Sequence, residues 1–403
     1  MKHLDHPRFI VGVVFSLALL ASSRPVLAQE PAASTMTRQQ LIAEGEKMAD
    51  AQLAQFNGEK KMGIGWVDGV MWAGYADFSH VSSKTDYAAA IEHVGEQFKW
   101  TPILNSKSPM HADDLCIAQA FLDAYATLPS PAKLAACQSR FDSVCDAIDQ
   151  GTNKGGPPKT NRTELIWWWC DALFMAPPSM ARLSAITHDP KYLRAMDAEW
   201  AQTANLLYDK EEHLFYRDSR FLNDKTAHGH KVFWSRANGW VFAGLARTLR
   251  FMPRDFANRA RYETIFKDMA VKLASLQQAD GTWYPSLLDA DQYPDPETSG
   301  TALNCFAFAW GINNGLLDRA TYLPVVEKAW SALLAARRPD GLLGYVQGVS
   351  DRPNPVKADG TQLYATGAFL MDVCELADLA PLTVPAPPKL SIPEAEKAPS
   401  QKP

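Results

Sequence analysis

The feature that most constrains the fold is a three-and-four spacing of apolar residues that recurs along almost the whole chain. Alternating stretches long enough to be core strands are almost absent. This spacing predicts α-helices with one buried face. About twelve helices are predicted, over residues 38–56, 66–79, 85–99, 112–127, 131–149, 165–187, 190–207, 236–251, 258–277, 299–314, 321–337 and 361–379.

A weak internal repeat indicates that these helices pair. The segments EHLFY from Glu212, DGTWY from Asp280 and DGLLGY from Asp340 each follow a predicted helix. Their spacing of roughly 60 to 70 residues is one helical hairpin with its loops. Six hairpins bury their apolar faces by closing into a ring, with Trp-rich helices inside and charged helices such as 258–277 outside. We therefore predict an all-α chain folded as a single (α/α)6 barrel; the alternative, an open α-solenoid, would need polar capping repeats.

The two ends of the chain differ from the middle. Residues 1–28 have the form of a secretory signal, with an apolar run from Phe9 to Ala21 and small residues at the expected cleavage site. The run is shorter than the roughly 20 residues that span a bilayer, so no membrane anchor is expected. Residues 29–381 form the predicted catalytic domain, and the Pro-rich residues 382–403 are a predicted disordered tail. The protein is expected to be exported, to the periplasm or the medium.

Charge and metal-ligand patterns narrow the function. The formal net charge is −5 and no basic run is present, so nucleic acid is not an expected partner. His228 and His230 have no third ligand close in sequence, and we expect neither a metal site nor another cofactor. Cys137 and Cys145 lie eight residues apart on one predicted helix and cannot bridge each other. The other four cysteines fall in apolar helical patterns, where a free thiol acts as a small hydrophobe, so no essential disulfide is expected. Monomer and homodimer both stay open.

Tryptophans are unusually frequent, and several stand beside glycines or carboxylates. The chain has 12 of them, including Trp66, Trp168 and Trp240. An indole stacks on the apolar face of a sugar ring while its N–H bonds a polar partner. Core packing explains any single tryptophan equally well, but the group favours a carbohydrate-binding cleft.

Asp171 is the main candidate for catalysis. It follows three tryptophans and precedes Ala-Leu-Phe-Met, so no neighbour in sequence neutralises its charge. Burial would raise its pKa, which suits a general acid that works near neutral pH. A helix N-cap, or a buried ion pair with Arg236, explains the same residue structurally.

Two other segments carry chemistry. His111, Asp113 and Asp114 stand at a predicted helix start, where the helix dipole alone would favour carboxylates. Arg236 and Trp240 lie in the segment FWSRANGW, and a guanidinium there could pair bidentately with a uronate carboxylate.

In these segments the sequence resembles glycoside hydrolase family 105, the unsaturated rhamnogalacturonyl hydrolases, which are related to the unsaturated glucuronyl hydrolases of family 88. The matching segments, between about Gly63 and Leu376, are HADDLCI, WWWCDALFMA, HLFYRDSRF, FWSRANGW, GTWYPSLLD and PETSGTAL. The resemblance implies an (α/α)6 barrel in which Asp171 is the catalytic acid–base. It implies a second functional aspartate, for which Asp114 fits the family pattern better than Asp113. The implied substrate-binding residues are Asp113, His111, Trp66, Trp168, Arg217, Arg236 and Trp240.

The family chemistry implied for this chain is hydration of a double bond. Its substrates are oligosaccharides made by lyases, of the pectin or rhamnogalacturonan type, that end in a 4,5-unsaturated uronate. Asp171 would protonate C4 while water adds at C5, and the resulting hemiketal opens and releases the neighbouring sugar. Ordinary glycoside hydrolysis instead uses two carboxylates on either side of the glycosidic bond.

One departure from the family pattern concerns the neighbouring sugar. A His is expected shortly after the segment LFY, but Arg217, Asp218 and Arg220 stand there. These cations could contact an acidic or sulfated sugar, or simply pair with Asp218. The alternative functions are a conventional inverting glycosidase or a sugar epimerase on the same barrel, and a non-catalytic envelope protein that binds glycans.

Overall fold

Helices dominate the computed structural model, which describes residues 33–57, 61–102, 110–150 and 165–390. The α-helices in these ranges are α1 (Arg38–Ala54), α2 (Trp66–Ser79), α3 (Asp86–Gln97), α4 (Ala112–Leu115), α5 (Ala118–Thr127), α6 (Pro131–Asp149), α7 (Ala172–Met175), α8 (Pro177–Thr187), α9 (Pro190–Leu207), α10 (Ser235–Phe251), α11 (Arg259–Ser275), α12 (Thr298–Asn313), α13 (Arg319–Ala335) and α14 (Leu363–Leu379). The strands are β1 (Ser34–Met36), β2 (Tyr208–Asp209), β3 (Leu214–Phe215) and β4 (Leu382–Val384). Within these ranges, no helix is both long and apolar enough to cross a bilayer.

Six helices form a closed inner ring. Helices α2, α5, α8, α10, α12 and α14 pack in that order, and α14 packs in turn against α2. The outer helices α1, α3, α6, α9, α11 and α13 lie against them. This is the predicted (α/α)6 barrel, and the closure of the ring rules out the open solenoid. The charged helix α11 lies outside, as its sequence predicts.

Small residues let the first and last inner helices meet closely. A Cβ added at Gly74 of α2 would lie 2.2 Å from the carbonyl oxygen of Gly367 in α14. A Cβ at Gly367 would lie equally close to the carbonyl oxygen of Val70, at 2.2 Å. Since an ordinary side chain does not fit at either position, glycine is required for the ring to close.

The predicted helix over 165–187 is wrong in its first part. Residues 165–170 are not helical, and the segment begins its helical turns only at α7. Ala176 then separates α7 from α8, which begins at Pro177. Proline lacks a backbone N–H and therefore favours the first position of a new helix. The amides of Ile166 and Trp167 instead donate to Glu199 Oε1 at 2.5 and 3.0 Å. The predicted helix over 112–127 is similarly divided into α4 and α5.

Similar turns stand at the three repeated segments, each after an outer helix, and the first turn begins at Asp209, three residues before Glu212. The carboxylates of Asp209, Asp280 and Asp340 each accept a hydrogen bond from the backbone amide two residues later, at 3.0, 2.9 and 3.2 Å. Aspartate stabilises a turn in this way because its short side chain reaches its own backbone. Each turn directs the chain from an outer helix into a loop that precedes the next inner helix.

The predicted boundary of the C-terminal tail is also wrong. Residues Leu382–Val384 form β4, which pairs antiparallel with β1. Leu382 and Val384 are buried, so apolar contact and backbone hydrogen bonds hold this segment although prolines follow it. The predicted signal at 1–28 and the tail from residue 391 lie outside the described residues.

Candidate active site

A cavity of about 160 Å³ lies at the end of the barrel where the inner helices begin. Its wall consists of Trp66, Asp113, Trp169, Asp171, Met175, Arg217, Trp234, Arg236, Trp240, Val349 and Ser350. Almost all of these residues come from the first turns of inner helices or from the loops before them. Helix starts carry partial positive charge, which favours anionic ligands at this end of the barrel.

Asp171 is a buried wall residue beside a guanidinium. It occupies the N-cap position of α7, but its side chain makes no capping hydrogen bond. Its Oδ2 lies 3.3 Å from Arg217 Nε, so the ion-pair partner is Arg217 and not the predicted Arg236. Burial raises the pKa of Asp171, and Arg217 opposes that rise.

The wall contains Asp113, whereas Asp114 does not line it. Burial, followed by the nearby charge of Asp171, raises the pKa of Asp113 to about 7. Asp114 is buried. Burial lowers the pKa of Arg140, and the charge of Asp114 opposes this shift. The geometry therefore favours Asp113 over Asp114 for chemistry in the cavity, the reverse of the prediction.

Of the three consecutive tryptophans, Trp169 lines the cavity, and the predicted Trp168 packs beside it without lining the cavity. The two rings are 4.9 Å apart. The guanidinium of Arg217 lies 5.5 Å from the ring centre of Trp168, so Trp168 supports a wall residue. His111 has a similar role, with its ring 4.5 Å from that of Trp169. Burial, and then the charge of Arg217, lower the pKa of His111.

Arg236 and Trp240 reach the wall from the first turns of α10, as predicted. Arg236 donates to the carbonyl oxygens of Gln347 and Gly348 at 2.6 and 2.9 Å. Its guanidinium lies 4.4 Å from the ring centre of Trp234, and this cation–π contact further stabilises the position of Arg236. Arg236 therefore fixes residues 347–352, which we call the lip loop, at the mouth of the cavity.

Five wall residues were not singled out from the sequence: Trp169, Met175, Trp234 and, in the lip loop, Val349 and Ser350. Val349 and Ser350 stand in a segment with no distinctive chemistry, and no sequence signal identifies them. Trp169 and Met175 lie in the matched segment WWWCDALFMA beside Asp171. Trp234 could have been found, because it precedes Arg236 by two residues within the same matched segment.

Arg217 and Arg220 share one buried carboxylate. Arg217 Nη1 and Arg220 Nη2 donate to Asp218 Oδ2 at 2.8 and 2.7 Å. Although burial acts in the opposite direction, these hydrogen bonds hold the pKa of Asp218 below its usual value. Arg220 also contacts Asp351 of the lip loop at 2.9 Å. Arg220 therefore has one of the two roles predicted for these cations, which is pairing with Asp218. Arg217 also pairs with Asp218, but it lines the cavity as well.

Metal ligands do not cluster in the part of the chain that the structure describes. No group of three or more His, Cys, Asp or Glu side chains there is arranged to hold a metal ion. His228 Nδ1 instead lies 2.8 Å from Asp289 Oδ1. The cavity offers carboxyl, guanidinium and indole groups, which suit a sugar acid.

A ring of six helical hairpins, with two carboxyl groups in a tryptophan-lined cavity at one end, defines a carbohydrate-active enzyme of the (α/α)6 class. The profile of Glycosyl Hydrolase Family 88 matches residues 43–380, and the chain belongs to this family. The chain is 39% identical over 327 residues to an unsaturated 3S-rhamnoglycuronyl hydrolase of Formosa agariphila, covering 78% of this chain and 84% of the relative. It is 34% identical over 350 residues to a protein of the same name from an Alteromonas species, covering 82% and 84%.

Solved structures agree with the assignment. A family 88 glycosyl hydrolase from Bacteroides vulgatus superposes with a TM-score of 0.76 at 31% identity, over 85% of this chain and 99% of that protein. Together these findings confirm the resemblance inferred from the sequence and the predicted enzyme class, a glycosidase of the unsaturated uronyl hydrolase type.

Proposed function

We propose that Asp171 is the acid–base residue that hydrates the C4=C5 bond of a terminal unsaturated uronate. The observation that carries this role is its position: a buried carboxyl group in the cavity wall, flanked by Asp113 and Arg217. Burial raises its pKa, which favours the protonated form that an acid catalyst needs.

The reaction proceeds through these residues without a covalent intermediate. Asp171 gives its proton to C4, and positive charge develops at C5 and the ring oxygen. Water adds at C5, and its proton returns to Asp171. The hemiketal then opens: C5 becomes a ketone, and the hemiacetal left at C1 releases the neighbouring sugar as an alcohol. Asp113, half-buried beside Asp171, is placed to bond the sugar hydroxyls or the attacking water.

For the neighbouring sugar, we propose rhamnose carrying a sulfate at O3. The names of the two relatives above support this choice. An unsulfated rhamnogalacturonan product is the competing substrate. The N-terminal segment predicted as a signal would export the enzyme to the compartment in which lyase products arise.

The test follows the ultraviolet absorbance of the conjugated enol ether. Unsaturated disaccharides from a lyase digest of sulfated rhamnoglucuronan should lose this absorbance on incubation with the enzyme, faster than rhamnogalacturonan products do. Asp171→Asn should lower the rate by about 10³-fold or more, while Asp86→Asn, which changes an exposed carboxylate at the start of α3, should not. Stable absorbance with every unsaturated uronide, or an active Asp171→Asn variant, would contradict the proposal.

A further inference from the structure

Arg217 makes a directed hydrogen bond to Asp218 and a looser ion-pair contact with Asp171. Its Nη1 donates to the fully buried Asp218 at 2.8 Å. Its Nε lies 3.3 Å from Asp171 Oδ2, yet this buried nitrogen has no partner with hydrogen-bond geometry. The contact with Asp171 is therefore an ion pair without a directed hydrogen bond, and a better acceptor in the cavity can compete for Arg217.

The charges around Asp171 come from three parts of the chain. Arg217 and Asp218 approach from the segment after β3, Arg236 from α10 and Asp113 from α4. The thiol of Cys170 lies 3.7 Å from Oδ2. Of the two cations in the wall, Arg236 has both terminal nitrogens bonded to lip-loop carbonyls. Arg217 is thus the cation that directly stabilises ionised Asp171.

The ion pair with Arg217 works against the protonated form of Asp171 that the chemistry needs, although burial raises the pKa of Asp171. An acid catalyst must start protonated, but a neighbouring guanidinium favours the carboxylate. The substrate class brings its own carboxylate, attached to C5, next to the bond that Asp171 must protonate. A guanidinium and a carboxylate form a strong, directed pair.

We propose that Arg217 exchanges partners: it pairs with Asp171 in the free enzyme and with the uronate carboxylate in the complex, so that substrate binding leaves Asp171 protonated. This inference rests on the acid–base role proposed above for Asp171. The uptake of one proton from solvent balances the exchange whenever Asp171 is ionised before binding. Substrate binding thereby favours the protonated form of Asp171, whereas binding of a ligand without a carboxylate would not.

The first test compares the pH dependence of kcat/KM, which reports the free enzyme, with that of kcat, which reports the complex. For the wild type, the descending limb of kcat should lie about one pH unit or more above that of kcat/KM. Arg217→Gln should raise KM about tenfold or more and bring the two limbs together, whereas Arg217→Lys should partly restore their separation. Arg220→Gln is the matched control, because Arg220 shares Asp218 but does not line the cavity; its limbs should match those of the wild type.

A binding measurement keeps the inference testable if Arg217→Gln does not fold. A saturated glucuronyl-rhamnose disaccharide, which is not turned over, is titrated by calorimetry in buffers of different ionisation enthalpy. The wild type should take up protons on binding, and Asp171→Asn should not. Coincident limbs in the wild type, an unchanged separation in Arg217→Gln, or proton uptake that persists in Asp171→Asn would each overturn the exchange. Failure of the function itself looks different, since then no unsaturated uronide is consumed.

Discussion

At the scale of single residues, the site depends on which of two identical neighbouring residues has its side chain in the cavity wall. Asp113 enters the cavity and Asp114 the protein interior. One step along a helix turns the side chain by about 100°, so adjacent carboxylates on α4 face different surroundings. Trp168 and Trp169 stand outside the helices, but they too face different surroundings, and of the two Trp169 lines the cavity.

Substitution of the two aspartates should separate their roles. Asp113→Asn removes a cavity carboxyl and should lower kcat/KM by about 10²-fold, with little change in melting temperature. Asp114→Asn leaves the cavity intact but weakens a buried electrostatic contact, and should lower the free energy of unfolding by about 1 to 3 kcal/mol. Kinetics and thermal melts of both variants measure these two effects. A larger loss of kcat/KM in Asp114→Asn than in Asp113→Asn would instead support Asp114 as the second functional aspartate, as predicted from the sequence.

At the scale of elements, the start of α12 joins the fold to the site. The carboxylate of Glu297 is fully buried and caps α12, accepting from the amides of Ser299 and Gly300 at 3.1 and 2.6 Å. It also accepts from the amide of Gln347 at 3.2 Å. One side chain thus holds both an inner helix and the lip loop.

Removal of this buried helix cap should lower the free energy of unfolding more than removal of an exposed cap. Glu297→Ala leaves several buried donors without an acceptor and should lower the free energy of unfolding by about 3 kcal/mol. Thr37→Ala, at the exposed capping box of α1, should cost about 1 kcal/mol. Urea denaturation of the two variants measures the difference, and equal costs would show that Glu297 acts only as an ordinary cap.

At the scale of the whole molecule, stability depends on closing the ring between its first and last inner helices. That contact is between elements some three hundred residues apart in the chain. Its glycines leave no room for a side chain, so the backbones of α2 and α14 touch directly. The cavity lies at one end of this same contact, where Trp66 stacks on Tyr364 with ring centres 5.3 Å apart.

A methyl group at the closure should weaken the entire barrel. Gly367→Ala places a carbon 2.2 Å from a backbone oxygen and should cost about 3 kcal/mol or prevent folding. Gly239→Ala is the control within α10, where the nearest atom would be a side-chain carbon at 3.1 Å. The helix propensity of alanine offsets that smaller clash. Similar melting temperatures for the two variants would contradict the role given to ring closure.

The sequence by itself determined most of the helices, their pairing and the class of enzyme, because apolar period, turn residues and ordered motifs are local properties. It also identified six residues that line the cavity, Trp66, Asp113, Asp171, Arg217, Arg236 and Trp240. Only the tertiary structure decided that Asp113 and not Asp114, and Trp169 and not Trp168, line the cavity and that Arg217 is the partner of Asp171. It also placed β4 against β1. These features depend on hydrogen bonds and packing between segments that are distant in the chain, such as the hydrogen bonds from the tryptophan segment to Glu199. A local sequence pattern does not contain this information.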